Sequence, residues 1–205
     1  MANKVKFGLS NVHIAKITYG TDQTTGAPTI TYGSPFALPG AVNLTLDAEG
    51  DSADFFADNT KYFSSAANAG YSGSLEVALI NDTFRSDILG ETTDAKGAYI
   101  ENKDDTIADF ALGFQIEGDE KNRRYWFYTV SATRPSTASQ TIETSKEPVT
   151  ETLNITASAR ITDGNIKVFM EKTSGNTTWL ETSYNGISGY ICVLRESAGY
   201  AKEVF

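Results

Sequence analysis

Residues 38–91 read LPGAVNLTLDAEGDSADFFADNTKYFSSAANAGYSGSLEVALINDTFRSDILGE, and this stretch decides the fold. Its first segment, Ala41 to Asp51, alternates apolar and polar side chains, with Val42, Leu44 and Leu46 on one side. Side chains of a β-strand point to opposite faces in turn, so this period predicts a strand with one apolar and one polar face. Gly70 to Ile80 alternates in the same way and predicts a second strand.

The segment between these strands predicts a β-hairpin. Phe55 to Phe63 is rich in aromatic residues and is interrupted at Asp58-Asn59. Two strand-forming runs separated by two turn-forming residues are typical of a hairpin, so we expect two further strands joined at that dipeptide.

The end of the stretch predicts one short helix. Asn81 or Asp82 can cap its N-terminus, and Gly90 can cap its C-terminus. Within this helix we expect Phe84 and Ile88 to pack on the sheet.

Further strand patterns follow along the chain, at residues 4–19, 29–32, 110–116, 123–132, 150–160 and 166–169. Thr92 to Asp109 is polar and charged, and it predicts a mobile loop. Many short strands with a single helix indicate a mainly β protein, with two packed antiparallel sheets in a sandwich or barrel-like domain and one short flanking helix. We place this domain at residues 1–165 and treat residues 166–205 as a C-terminal strand and tail.

The composition narrows the classes of function. A chain of 205 residues with 11 Phe, 10 Tyr and 2 Trp can form one domain with a sizeable core. It has 17 basic and 26 acidic residues, so its net charge of −9 has the opposite sign to a basic patch that grips nucleic acid. The acidity fits ordinary solubility, and it also fits a surface that a polyanion passes without sticking.

The sequence also bears on the cellular compartment. Cys192 is the sole cysteine, so no disulfide can form within the chain. The first seven residues lack the apolar segment of a signal peptide, and no apolar run approaches the ~20 residues that span a bilayer. We therefore expect synthesis in a reducing cytoplasm and no association with a membrane.

Residues with catalytic or metal-binding chemistry form no recognisable constellation in the sequence. His13 is the only histidine, and with Cys192 it cannot supply a zinc ligand set. Asp47, Glu49 and Asp51 share a strand face and could offer oxygens to Ca²⁺, but they lack the loop and distal glutamate of an EF-hand. We therefore expect no catalytic residue, no metal site, no cofactor and no enzymatic activity.

Four segments carry a resemblance to a known family: LPGAVNLTLDAEGDSADFFAD (residues 38–58), GYSGSLEVALINDTFRSDILGE (70–91), ALGFQIEGD (111–119) and RRYWFYTVSATRPS (123–136). In this order they resemble the major tail proteins, or tail tube proteins, of long-tailed bacteriophages, and above all the phi13-type group. The resemblance covers about residues 4–160 and fades after Asn165. Residues 185–205 match nothing in the family.

The resemblance implies a structural virion protein. Its copies would form hexameric rings that stack head-to-tail into a hollow tube, the conduit for DNA delivery. The implied partners are other copies of the chain, a tape-measure protein, a distal tail protein and a tail terminator protein. DNA would pass through without tight binding, in a virion tail that is assembled in the cytoplasm of a host bacterium.

This reading predicts which residues line the lumen or the contacts between subunits. The candidates are acidic or aromatic residues on the predicted strands and hairpin: Asp47, Glu49, Asp51, Phe55, Phe56, Asp58, Lys61, Glu76 and Glu117. We also expect the Thr92 to Asp109 loop to contact neighbouring subunits, and Arg123-Arg124 to form an ion pair with one.

Two other classes of function remain open. One is a soluble β-sandwich module that binds carbohydrate or cell surfaces, for which Trp126 and Trp179 would have to be exposed as sugar platforms. The other is a hydrolase built on paired carboxylates, which predicts a deep pocket holding at least two acids.

Overall fold

The computed structural model describes residues 5, 7–119, 123–141 and 148–170, which form thirteen β-strands and one short helical segment. The strands are β1 (Leu9–Thr21), β2 (Pro28–Tyr32), β3 (Phe36–Ala37), β4 (Ala41–Glu49), β5 (Ser52–Ala57), β6 (Thr60–Ala66), β7 (Gly70–Val77), β8 (Thr92–Thr93), β9 (Tyr99–Ile100), β10 (Phe110–Ile116), β11 (Arg124–Ala132), β12 (Glu151–Ser158) and β13 (Lys167–Met170). The predicted mainly β, antiparallel architecture with one short helix is confirmed.

Nine strands form one antiparallel sheet in the order β2-β1-β10-β11-β12-β7-β4, with β3 paired to β1 and β13 paired to β11. The sheet curls, so that β4 at one edge comes into contact with β1 near the other edge. Just before β4, the Leu38 N–H donates to the Val12 carbonyl at 2.9 Å. The packed layers are therefore opposite walls of one barrel-like sheet.

The main core fills the inside of this curl. Every long strand of the sheet except β2 sends buried or half-buried apolar side chains into it, and the largest fully buried ones are Ile14, Leu75, Phe110, Leu112 and Leu153. Burying one such side chain contributes about 1.5–3 kcal/mol. On β12 the predicted alternation is confirmed, since Leu153, Ile155 and Ala157 are buried while the residues between them are exposed.

A second, smaller core covers the opposite face of β1, β10 and β11. It is built from Ala15, Ile17, Ile30, Tyr32, Ala111, Trp126 and Tyr128, with Val168 and Met170 packed against it. Strand β10 is consequently buried on both faces. In the sequence, Gln115 and Glu117 alternate with apolar residues and predict a polar, wetted second face on this strand. This prediction is wrong for Gln115, which is buried and accepts a hydrogen bond from the Arg124 Nε at 3.2 Å.

The helical segment begins and ends as the sequence predicts. A turn of α-helix, α1 (Asp82–Phe84), runs directly into a π-helical turn (Arg85–Leu89). The Asn81 side chain accepts from the Phe84 N–H at 2.9 Å, and Gly90 ends the segment in the left-handed conformation. Phe84 and Ile88 are fully buried in the main core, as expected.

The beginning of β4 departs from the predicted alternation. The pairing with β7 shifts between Ala41 and Asn43, which is a β-bulge. Leu44 and Leu46 still pack against the main core, but Ala41 takes the inward position that the pattern gives to Val42. Val42 is exposed instead, because the extra residue turns its side chain outward.

Replacement of Phe84 by Ala should lower the free energy of unfolding by about 3–5 kcal/mol, since it removes a fully buried ring from the core. Urea unfolding of the purified protein measures this change. Thr83→Ala, one residue away and exposed, should change the same quantity by no more than about 0.5 kcal/mol. Equal losses for the two variants would show that Phe84 does not anchor the helix.

Candidate assembly surfaces

The first candidate surface is the outer face of β4, β7 and β12. Cross-strand register aligns its side chains in rows: Asn43, Glu76 and Thr152; Thr45, Ser74 and Asn154; Asp47, Ser72 and Thr156. We call the following set the polar face: Asn43, Thr45, Asp47, Glu49, Ser72, Ser74, Glu76, Ser131, Thr152, Asn154, Thr156 and Ser158. Three strands that the sequence assigned separate polar sides thus form one continuous surface.

The polar face carries hydroxyl and amide groups together with three acids. Its charged members, Asp47, Glu49 and Glu76, are all carboxylates. The Ser72 hydroxyl donates to the Glu49 carboxylate, and the Thr150 hydroxyl donates to Glu76 Oε1 at 2.5 Å. A cavity of about 520 Å³ lies over the central rows, so the surface is concave and can hold water. Its field repels anions.

The second candidate surface is the hairpin of β5 and β6, which we call the arm. Its turn lies at Asp58-Asn59, as predicted, and both residues have positive φ angles, of 52° and 61°. Two consecutive residues with positive φ form the tight turn whose twist matches that of paired strands. Among the described strands, β5 and β6 pair only with each other.

The arm exposes an unusual amount of aromatic surface. Phe55, Phe56, Tyr62 and Phe63 are 59%, 64%, 77% and 60% exposed. Phe55 and Phe63 lie directly opposite each other across the two strands. Aromatic side chains this exposed, and grouped on one hairpin, are typical of a surface that another molecule covers.

An ion pair and a hydrogen bond link the two strands of the arm through Asp54. Lys61 Nζ lies 2.7 Å from Asp54 Oδ1, and the Ser64 hydroxyl donates to the same carboxylate at 2.6 Å. The Lys61 contact, followed by that of Ser64, lowers the pKa of Asp54. In the structure, Lys61 therefore forms its ion pair with Asp54 of the same arm.

The arm continues from the paired strands β4 and β7, which we call the β4–β7 ribbon. Beyond the last pair of β4 and β7, the Ala69 N–H donates to the Glu49 carbonyl and the Ala67 N–H donates to the Asp51 carbonyl. Gly50 lies between β4 and the arm, where an added Cβ would lie 1.9 Å from the carbonyl oxygen of Ala67. At Gly70 an added Cβ would lie 2.2 Å from the Ala157 carbonyl oxygen. We call these two residues, neither of which has room for a side chain, the elbow.

The nine residues predicted for lumen or subunit contacts fall into four places. Asp47, Glu49 and Glu76 belong to the polar face, while Phe55, Phe56, Asp58 and Lys61 belong to the arm. Asp51 follows β4 at the elbow and is exposed. Glu117 lies beyond β10, where its backbone pairs with Phe7 and Gly8, so it is not part of the polar face.

The predicted mobile loop contains a second small hairpin. Strands β8 and β9 pair through Thr92–Ile100 and Thr93–Tyr99. The Asp94 carboxylate accepts from the backbone N–H groups of Lys96 and Ala98 at 2.8 Å each. The sequence pattern missed it because each strand has only two residues.

The structure places the aromatic and basic residues that the sequence singled out. Trp126 is buried in the second core, so it cannot serve as an exposed sugar platform, and Trp179 lies outside the described residues. The guanidinium of Arg123 makes a two-point contact with Asp119 of its own chain, at 2.7 and 3.0 Å. Arg124 is buried beside Gln115. An ion pair of Arg123 or Arg124 with a neighbouring subunit stays a prediction.

Groups that could hold a metal or cross a membrane are absent from the described part of the chain. Over those residues, no three His, Cys, Asp or Glu side chains come together as a metal site. Within the same ranges, no helix has the length and apolarity to span a bilayer.

Comparison with known proteins assigns the chain to no family. No protein-family model matches the sequence, and no curated protein matches it.

Gly50→Ala should release the elbow, because the new methyl group and the Ala67 carbonyl cannot occupy the same space. We expect faster hydrogen exchange at the Ala67 and Ala69 amides, with the amide of Leu153 in the core unchanged. Gly26→Ala is the matched control, since Gly26 also has a positive φ but has open space around it. Unchanged exchange at Ala67 and Ala69 in Gly50→Ala would contradict this role.

Stability should fall as the pH drops from about 7.5 to 5.5. Burial, and then the charge of Arg124, lower the pKa of His13 in the folded protein, outweighing the opposing contact with the Asn11 carbonyl. The unfolded chain therefore binds the proton more readily near the ordinary histidine pKa of about 6.5, and acid favours unfolding. Thermal melting across this range should show a smaller decrease in His13→Gln, which removes the only histidine. An equal decrease in both proteins would exclude His13 as the cause.

Proposed function

We propose that this chain is a structural virion protein whose copies polymerise, as stacked hexameric rings, into the tail tube of a long-tailed bacteriophage. The observation that carries the proposal is the arm, with its four exposed aromatic side chains. The resemblance of the four sequence segments supplies the family, and the polar face supplies a surface suited to the inside of a tube.

The arm supports self-assembly because its own fold does not bury it. An isolated two-stranded hairpin is at best marginally stable in water. Every residue of β6 is exposed, as is every residue of β5 except Ala57. A neighbouring copy that covered Phe55 and Phe63 would remove this apolar surface from water and stabilise the arm.

The polar face supports a role as the lumen. DNA carries a dense negative charge, and basic groups on a wall would bind its phosphates. The polar face offers hydroxyls, amides and the carboxylates of Asp47, Glu49 and Glu76. Such a wall stays wet and repels the polyanion, so DNA passes without tight binding.

The edge of the sheet supports lateral contact within a ring. Among the described strands, β4 pairs only with β7, which leaves its other edge without a strand partner. Unpaired edges are templates for pairing with another chain. In a ring the edge would pair with the next copy, and a closed ring leaves no free edge.

The proposal places the protein in the virion tail, after assembly in the cytoplasm of a host bacterium. The resemblance brings three further partners, a tape-measure protein, a distal tail protein and a tail terminator protein. No catalytic residue and no cofactor belong to the proposed function.

Negative-stain electron microscopy at low and high protein concentration, with light scattering for mass, tests the proposal. We expect rings or hollow tubes at high concentration. Phe55→Ala combined with Phe56→Ala should prevent their formation, because it removes half of the large aromatic groups of the arm.

The matched control is Leu79→Ala combined with Ile161→Ala, which truncates two exposed apolar residues outside the arm. This control should assemble like the unchanged protein. If a tail-initiation complex is added and the protein still remains a monomer at every concentration, the proposal is wrong.

A further inference from the structure

We propose that the arm of one copy docks in an apolar groove of the next copy, at the opposite end of the same β4–β7 ribbon. This inference rests on the proposed function, and it names the two surfaces that meet. The groove is lined by Phe7, Leu9, Val42, Leu44, Phe114 and Ile116 and encloses about 310 Å³.

The groove exists because the curled sheet does not close. Strands β1 and β4 contact each other but are not hydrogen-bonded partners in the sheet. The bulge at the start of β4 turns Val42 outward at this seam, where it is 54% exposed, and Phe7 beside it is 59% exposed. The groove is therefore apolar, and the backbone edge of β4 that has no partner among the described strands runs along one side of it.

The arm carries the complementary face. Phe55 and Phe63 form a cross-strand pair, and Asp54, Ser64 and Lys61 form their contacts with one another on the alternate side chains. The aromatic pair thus has no charged group of the arm in register with it. Two rings of this kind fit an apolar slot without burying a charge.

Distance excludes docking of the arm on its own groove. Val42 and the elbow at Gly50 are eight residues apart along β4, or roughly 26 Å at 3.3 Å per residue. Phe55 is five residues from Gly50 and so lies at most about 17 Å from it, and Phe63 lies directly opposite Phe55. This aromatic pair therefore cannot reach the groove of its own chain, but it can reach the groove of a copy displaced along the ribbon.

This placement gives the contact a direction. The arm is at one end of the β4–β7 ribbon and the groove is at the other end, so the two contacting surfaces differ. A heterologous contact of this kind repeats from copy to copy and forms an open filament unless rotation closes it. The interaction thus fits the axial stacking of subunits, with every arm pointing the same way.

Disulfide trapping tests the contact. In a Cys192→Ser background, Val42→Cys and Phe63→Cys are made separately, and the two proteins are mixed under assembly conditions and oxidised. We expect the mixture to give a disulfide-linked dimer, and each protein alone to give none. Tyr99→Cys, on the exposed β8–β9 hairpin, replaces Phe63→Cys in the control mixture and should give no dimer with Val42→Cys.

A charge exchange provides a second test that does not depend on oxidation. Val42→Asp and Phe63→Lys should each abolish assembly, since each places a charge in an apolar contact. Both sites are exposed, so the monomer should keep its melting temperature. The double variant Val42→Asp/Phe63→Lys should regain assembly, whereas Val42→Asp/Tyr99→Lys should not.

The outcomes separate this inference from the proposed function. Tubes that form without a Val42–Phe63 disulfide and tolerate both charged variants would overturn the docking site and leave the tube intact. Failure of the unchanged protein to assemble at every concentration, even after a tail-initiation complex is added, would overturn both. If a maleimide fails to label Val42→Cys in the monomer, a segment of the same chain already covers the groove, and the inference is wrong.

Discussion

One continuous sheet has to curl around the main apolar core, and the remaining features of the molecule depend on this constraint. Phe110 and Leu112 of β10 meet Leu75 of β7 and Leu153 of β12 inside the curl. Because side chains alternate, an inward Leu75 forces Ser74 and Glu76 outward, and the same holds for the neighbours of Leu153. The polar face is thus the reverse of the core. Its continuity follows from hydrogen-bond register, which aligns the outward residues of β4, β7 and β12.

The outer face of the sheet is covered differently at its two ends. At the β4 end the outer surface stays hydrated, whereas at the β1–β10–β11 end a second core covers it with Trp126, Tyr128 and Tyr32. Arg160 stacks over the Tyr128 ring at 4.3 Å and is held by Asp163, which closes this core with a cation–π contact. Among the described residues, no second core covers the outer surface of β4, β7 and β12, and this surface carries Asp47, Glu49 and Glu76.

The sequence predicts a local feature well where a short residue pattern is compatible with only one local structure. The alternation of β12, the turn at Asp58-Asn59 and the caps at Asn81 and Gly90 are all local, and the structure confirms them. Val42 and Gln115 were misplaced for non-local reasons, because a bulge shifts Val42 and because Gln115 is buried beside Arg124 of the neighbouring strand. The sequence could assign Glu76 and Asp47 to polar strand sides, but it could not show that those sides join, since that depends on strand order. No local signal marks the elbow, because Gly50 reads as an ordinary turn glycine until Ala67 is seen beside it.

The elbow gives the molecule a mechanical property as well as a shape. From Gly50 to its turn at Asp58 the arm is about 26 Å long, so a rotation of about 10° at Gly50 displaces the tip by roughly 4–5 Å. The close approach of Gly50 to Ala67 and of Gly70 to Ala157 leaves little room for such rotation. In a filament whose copies are joined through their arms, the resistance to bending would then depend on Gly50 and Gly70. Whether each of these positions carries a hydrogen atom or a methyl group would determine how sharply the filament can curve.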